Sequence, residues 1–378
     1  MIVLAFCLSF GALSGARASI LNLRRLRSSY FDYVAMERHS TDMVFLFLGI
    51  ALFLITAADI TKTTLSTRGG GTITNGVSRL VWRGFFIAAG RRGASKPLEY
   101  AGQCVLMLVL LTWIVCLWLS LFLMLASDPG AVVDGTTKLA ADSWEVLYFA
   151  GFTLSTLGVG DYVASGDGWR VLTSAAAFCG LTFITAAITY IVPVLSAVSL
   201  QNQLSLLITS MGRTPQEILV NSWNGSDFSR FYDNASDIRQ MLVEHTLNHH
   251  AYPVIRCFHN RHASKNIIPA VVMLDDVLRL LDQVAEDVPQ DGLKRKMLGS
   301  ALDRYLYLQR THYLNGASSD VARPDIDVSP LKVVHIPLKA RTGEDGTEQQ
   351  RRALLTALLE ADGWRWEHIY GTAAQRSG

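Results

Sequence analysis

The first 200 positions of this 378-residue chain contain three long apolar runs without any charged residue. These runs are Met43–Ala58, Val105–Leu125 and Val171–Ser199. A helix needs about 20 apolar residues to cross the roughly 30 Å hydrocarbon core of a bilayer. The pattern predicts a multi-pass membrane protein with transmembrane helices over 41–60, 102–126 and 170–199. With 16 uncharged residues, the first of them spans only tightly.

The N-terminal segment 1–40 supports two predictions. Met1–Phe10 is apolar, and Ala16-Arg17-Ala18 is compatible with the A-x-A-like end of a secretory signal. A short membrane segment fits the same residues, because the basic start of a signal peptide is missing. The chain is therefore expected to have one or two membrane helices before the 102–126 helix.

A fourth apolar stretch, Ala141–Leu154, is too short to span. It is followed by Ser155-Thr156-Leu157-Gly158-Val159-Gly160-Asp161, where alternate glycines permit backbone conformations that other residues resist. Irregular backbone at membrane depth is tolerated where it is buried in protein or lines a water-filled path. We predict a re-entrant loop: a pore helix over 142–154, capped by Asp142 or Ser143, and a turn whose carbonyl oxygens replace the water around a cation.

This stretch resembles the filter of bacterial pore-loop potassium channels with one pore domain per chain. The family pattern T-V-G-Y-G-D stands here as Thr156, Leu157, Gly158, Val159, Gly160 and Asp161. The resemblance covers about Cys104–Ser199. It implies a homotetramer, in which four loops supply rings of carbonyl oxygens at residues 156–160 to permeant K⁺. Val159 replaces the usual aromatic residue, which puts strict selectivity for potassium over sodium in question.

Residues around this loop are candidates for filter support and for gating. By resemblance, Asp161 holds the filter at its outer mouth, and Trp144 and Glu145 in the first turn of the pore helix are expected to brace the filter from behind. Gly180 and Pro193 lie in the inner helix, and proline kinks a helix by removing a backbone hydrogen bond. Both are gating candidates, although either residue also occurs in membrane helices for packing alone.

The segment 61–101 is a basic linker. Within 60–101 there are seven Lys and Arg against one acid, Glu99, which places the linker in the cytoplasm by the positive-inside rule. Within it, Asn75–Gly90 has a basic amphipathic helical pattern. Such a helix lies on the inner membrane surface or packs on the cytoplasmic face of the channel itself, and the sequence leaves both open.

Residues 200–378 have the composition of a mostly helical cytoplasmic domain. They contain 20 Lys and Arg against 21 Asp and Glu, a balance that offers no nucleic-acid signature. Val333–Ile336 is predicted as a lone strand. His245, His249, Cys257 and His259 are near enough in sequence to suggest a transition-metal site, with a polar or pH-sensitive helix face as the plainer alternative.

Together these patterns predict a mainly α membrane protein: an outer helix, a pore loop over 155–161, an inner helix and a helical C-terminal domain. The predicted function is passive potassium conduction across the cell (inner) membrane by a homotetramer. The alternatives are a weakly selective Na⁺/K⁺ channel and a non-conducting receptor or scaffold. No catalytic constellation stands out, so we expect no enzyme activity and no cofactor beyond permeant K⁺. The partner or ligand of the C-terminal domain is unknown.

Overall fold

The computed structural model describes residues 42–66, 69–311, 326–339 and 346–370. These ranges are helical apart from one two-stranded sheet and connecting turns. The expectations for 1–40 lie outside the described residues. The helices are α1 (Asp42–Leu65), α2 (Thr72–Ala88), α3 (Lys96–Glu99), α4 (Ala101–Ala126), α5 (Ser143–Leu154), α6 (Asp167–Ser210), α7 (Pro215–Ser222), α8 (Ser229–Ala251), α9 (Ile267–Asp282), α10 (Gly292–Gln309), α11 (Ser329–Val333), α12 (Gly346–Ala361) and α13 (Glu367–Tyr370).

Three of these helices, α1, α4 and α6, are long and apolar enough to cross a membrane. This confirms the predicted mainly α membrane protein. The inner helix α6 is longer than predicted, since it begins at Asp167 and continues to Ser210. Its last turns carry Leu204 and Ile208, which are fully buried in the core of the C-terminal helices. That burial stabilises the extension beyond the apolar run.

The chain forms two compact units. Among the described residues, the first contains 42–57 and Trp113–Thr185, and the second contains those within 58–112 and from Ala186 onward. The second unit joins the basic linker to the C-terminal helices, although the two were predicted as separate segments. The Gly93 amide donates to the Gly363 carbonyl over 2.8 Å, and a ring nitrogen of His259 lies 2.9 Å from the Gly93 carbonyl oxygen.

In the first unit, two short strands bracket the pore loop. β1 (Val132–Asp134) precedes α5. β2 (Tyr162–Ala164) follows residues 155–161, which we call the filter turn. They pair antiparallel, with Val133 opposite Val163. A small apolar core, which includes Leu125, Phe149 and Ala164, lies between α4, α5 and the sheet. The sheet therefore fixes both ends of the loop that contains residues 155–161.

The second unit is built around α9, whose residues Ile267–Val277 are all buried. The predicted strand over Val333–Ile336 is wrong. Val333 is the last residue of the short helix α11, and Pro330 lies in the first turn of that helix. The two residues after Val333 form a turn. Extended pairing falls instead on Leu338, opposite Val284. Proline near a helix start supplies the φ angle a helix needs, which outweighed the β-branched residues that follow.

Candidate ion pathway

The pore helix α5 begins with a complete capping box. The Asp142 carboxylate accepts from the amides of Trp144 and Glu145, each over 2.9 Å, and the Glu145 carboxylate accepts from the Asp142 amide over 2.7 Å. Of the two predicted caps, the structure selects Asp142. These contacts satisfy amides that the first helical turn leaves unpaired. They fix where α5 starts and so where its C-terminal end, with partial negative charge, points.

The sign of the φ angle alternates along the backbone from Thr156 to Gly160. Thr156, Gly158 and Gly160 have positive φ angles of 58°, 57° and 88°, while Leu157 and Val159 between them do not. Glycine adopts such angles readily, whereas a threonine there is strained. Hydrogen bonds to α5 hold Thr156: its amide donates to the Thr153 carbonyl, and the next amide donates to the Phe152 carbonyl. Alternation of this kind turns successive carbonyl groups toward one side.

One face of this turn is uncovered within the chain. All residues from Ser155 to Asp161 are exposed, and Leu157 and Val159 retain 68% and 54% of their accessible surface. No atom lies within 4 Å of where a Cβ would stand at Gly158 or Gly160. Apolar side chains this exposed in a helical membrane protein are expected to meet lipid or another chain.

Tyr162 braces the filter turn, although it is not among the residues predicted from the sequence. Its hydroxyl donates to the Glu145 carboxylate in the first turn of α5. Its ring packs edge-to-face on Tyr148, which packs in the same way on Phe152. Glu145 thus serves the capping box and the segment after the filter at once. The signal in the sequence was an aromatic residue directly after the filter aspartate.

The other two predicted support residues differ from each other. The Trp144 side chain is 78% exposed, so it does not brace the filter within its own chain. Its role in bracing the filter of an assembled channel stays a prediction. Asp161 accepts from the Tyr162 amide over 3.0 Å and lies beside Tyr148 on α5.

The segment between α4 and α5 packs on the outer end of the filter turn. The Gly135 amide donates to the Asp161 carbonyl over 2.6 Å, and a Cβ at Gly135 would stand 2.7 Å from the Gly160 carbonyl oxygen. Asp128, at the end of α4, accepts from the Trp169 indole of α6 over 2.8 Å. These contacts tie the loop to the two long helices.

Gly180 of α6 contacts the C-terminal end of the pore helix. A Cβ at this position would clash with the Leu154 carbonyl group, well inside van der Waals contact. Gly180 therefore permits close packing of α6 on α5, which gives a structural reason for glycine here apart from gating. Pro193 lies inside the continuous helix α6, where it removes one backbone hydrogen bond.

The suggested metal site does not form within the described residues, where no group of three or more His, Cys, Asp and Glu side chains has an arrangement that could hold a metal ion. His245 and His249 pack against each other, with ring centroids 5.9 Å apart. His259 instead stacks on Trp364 and pairs with Asp362. Because His259 is engaged in those contacts, it does not join the other two histidines.

Comparison with known proteins decides the class of this arrangement. A family model described as ion channel matches residues 104–197. The match runs from the start of α4 through the capped helix and the glycine turn into α6, which is the set of elements described above. This chain belongs to the pore-loop ion channel family.

The likeness extends beyond the pore domain. The chain is 31% identical over 322 residues to the uncharacterized membrane protein YdjJ of Bacillus subtilis (strain 168), an alignment that covers 83% of this chain and 93% of the relative. An alignment of this length extends beyond residues 104–197 into the linker and much of the C-terminal region. No solved structure matches. The family and the apolar helices identify the chain as an ion channel and a membrane protein.

Proposed function

We propose that this chain is one subunit of a homotetrameric potassium channel, with residues 156–160 as its selectivity filter. The observation that carries the proposal is the alternating backbone at Thr156, Gly158 and Gly160, held between a capped pore helix and a paired strand. Four such loops around one axis would present rings of carbonyl oxygens that replace the hydration shell of K⁺. The exposed turn in the single chain supports an assembly that covers it.

The electrostatics of the loop support a cation. Helix α5 ends at Leu154, directly before the filter, and the C-terminal end of a helix carries partial negative charge. At the outer side, Asp134 accepts from the amides of Thr136 and Thr137. The Thr137 amide is the main cause that lowers the pKa of Asp134, so this carboxylate stays charged and attracts cations.

We further propose that the linker and the C-terminal region lie in the cytoplasm and that the channel resides in the cell (inner) membrane. The excess of basic residues in 60–101 supports this orientation. An even number of crossings between the linker and the C-terminal region, by α4 and α6, places both on the same side.

Flux from purified full-length protein in liposomes tests the proposal. We expect potassium flux with a potassium-biased reversal potential. Gly158→Ala should abolish that flux, because an alanine is strained at a φ of 57°. Gly168→Ala is the matched control: Gly168 also has open space at its Cβ position, but its φ is not positive. Unchanged flux in Gly158→Ala would overturn the assignment of the filter.

A weakly selective Na⁺/K⁺ channel is the second candidate, and Val159 is the observation that favours it. Valine has neither a ring nor a hydroxyl to reach the pore helix, so the brace falls on Tyr162 outside the filter itself. Equal permeation of the two ions in the same liposomes would support this candidate. Silence under all conditions would instead support a non-conducting receptor or scaffold.

A further inference from the structure

The start of helix α2 is fixed to the end of α1. The Asp59 carboxylate accepts from the Ile73 amide over 2.8 Å, and from the Thr74 amide and hydroxyl over 3.2 and 2.7 Å. A Cβ at Gly71 would clash with this carboxylate. The Gly71 amide also donates to the Thr63 hydroxyl over 2.8 Å. The glycine-rich turn between α1 and α2 therefore has a fixed conformation, and we call it the elbow. In it, Asp59 supplies the N-terminal cap that the N-cap residue of α2, Gly71, does not provide.

This elbow sets the depth of α2 in the membrane. Asp59 is the first charged residue after the apolar run Met43–Ala58 of the spanning helix α1. We place the boundary between hydrocarbon and headgroups near Asp59, because a charged side chain within the hydrocarbon is costly. Because the first turn of α2 binds Asp59 directly, α2 begins at the same boundary.

Helix α2 has one covered and one uncovered face. Trp82 stacks on Phe86 and faces His259 of the C-terminal region. The stripe beside this face contains Arg79, Leu80, Arg83 and Ile87, all exposed, and the two aliphatic side chains keep 74% and 70% of their accessible surface.

The guanidinium groups on this stripe have no acidic partner. Among the described residues Arg79 donates only to the Asn75 carbonyl of its own helix, and neither Arg79 nor Arg83 takes part in an ion pair there. Glu99 is the one acid in 60–101, and its carboxylate Oε1 lies 3.8 Å from Nε of Arg261 instead. A face with free positive charge, interleaved aliphatic side chains and a start at headgroup depth matches an anionic lipid surface.

We propose that the stripe of Arg79, Leu80, Arg83 and Ile87 binds anionic phospholipid, with the arginines on the phosphate groups and Leu80 and Ile87 against the acyl chains. The anionic leaflet neutralises the two arginines, and the aliphatic side chains are buried away from water. This contact is separate from ion conduction, and it explains why a helix fixed so firmly at its start leaves two large aliphatic residues exposed.

The test uses the full chain with a bimane dye attached through Ile87→Cys, reconstituted in vesicles of phosphatidylcholine and phosphatidylglycerol. Spin-labelled lipid of either headgroup quenches the dye on contact, and the parent chain treated with the same dye gives the background from native cysteines. We expect phosphatidylglycerol to quench at least about twofold more strongly than phosphatidylcholine. Adding Arg79→Glu with Arg83→Glu should remove that preference.

The matched control is Lys296→Glu with Arg304→Glu on α10, two exposed cations, which should leave the preference unchanged. Equal quenching by both lipids in the Ile87→Cys chain would overturn the proposal, since it shows no recognition of charge. Absent quenching would also overturn it, because water or a second copy of the chain would then cover the stripe. The readout needs no ion flux, so it stands whether or not the channel conducts.

Discussion

At the scale of single residues, the filter turn depends on contacts that its motif does not contain. The motif at 156–161 could be located from the sequence, because alternate glycines after a short apolar helix are a local signal. The brace from Tyr162 to Glu145 could not, since it joins residues 17 positions apart whose meeting depends on the pairing of β1 with β2. The position of Trp144 in the first turn of α5 likewise does not indicate that its side chain is exposed in the single chain.

Tyr162→Phe removes the hydroxyl that donates to Glu145 and keeps the ring on Tyr148. Loss of this hydrogen bond to the Glu145 carboxylate loosens the segment directly after the filter. We expect the potassium-to-sodium permeability ratio to fall several-fold, as measured from bi-ionic reversal potentials. Tyr307→Phe, at an exposed position of α10, should leave the ratio as it is. A normal ratio in Tyr162→Phe would show that the brace does not act on the filter.

Gly180→Ala separates packing from gating in the inner helix. The added Cβ meets the Leu154 carbonyl group, and overpacking of this kind costs about 1–3 kcal/mol. The melting temperature of the full chain in detergent should therefore drop by several degrees, while Gly168→Ala should melt like the parent. An unchanged melting temperature together with altered flux would mean that Gly180 acts as a hinge.

At the scale of elements, local signals predicted the helices next to the pore loop best. Apolar run length predicted α4 over 102–126 and a capping residue predicted α5 over 142–154, each within one residue of the observed bounds. Consecutive glycines favour a flexible turn, yet the glycine-rich turn before α2 is a fixed elbow. That difference arises from Asp59, which binds across 14 residues, a distance that no local pattern reveals.

Asp59→Ala should loosen the first turn of α2. The variant leaves the Ile73 and Thr74 amides without their acceptor, and loss of a helix cap costs about 1–2 kcal/mol. We expect trypsin to cleave the full chain after Arg79 and Arg83 faster than in the parent. Asp227→Ala removes a carboxylate that accepts from the Ser229 amide elsewhere in the chain, so it serves as the control. Cleavage rates that match the parent would contradict the role of Asp59.

At the scale of the whole molecule, the linker and the C-terminal helices form one unit whose stability depends on pH. His245 of α8 is fully buried, and neither ring nitrogen has a hydrogen-bond partner among the described residues. Burial lowers its pKa to about 4. The unfolded chain binds a proton near pH 6.5, so stability falls as pH decreases from 6.5 to 4, by up to about 3 kcal/mol.

His245→Leu should remove this acid sensitivity. Burial raises the pKa of Asp276 to about 6, although the nearby Arg352 lowers it. This raised pKa stabilises the folded chain at lower pH, which is opposite to the effect of His245. The parent and the variant are therefore compared at each pH. We expect melting temperatures of the full chain in detergent to diverge below pH 6.5, with the parent lower. His368→Leu, at an exposed position, should follow the parent. Parallel curves for His245→Leu and the parent would contradict a buried neutral histidine.

The proposed channel requires four copies of residues 156–160 around a shared axis. An experimental structure of the assembled protein in potassium tests this most directly. We predict a fourfold axis through the backbone of these residues, with ion density between successive rings of carbonyl oxygens. A filter turn that faces lipid, or that packs against protein without a water-filled route on either side, would contradict the account.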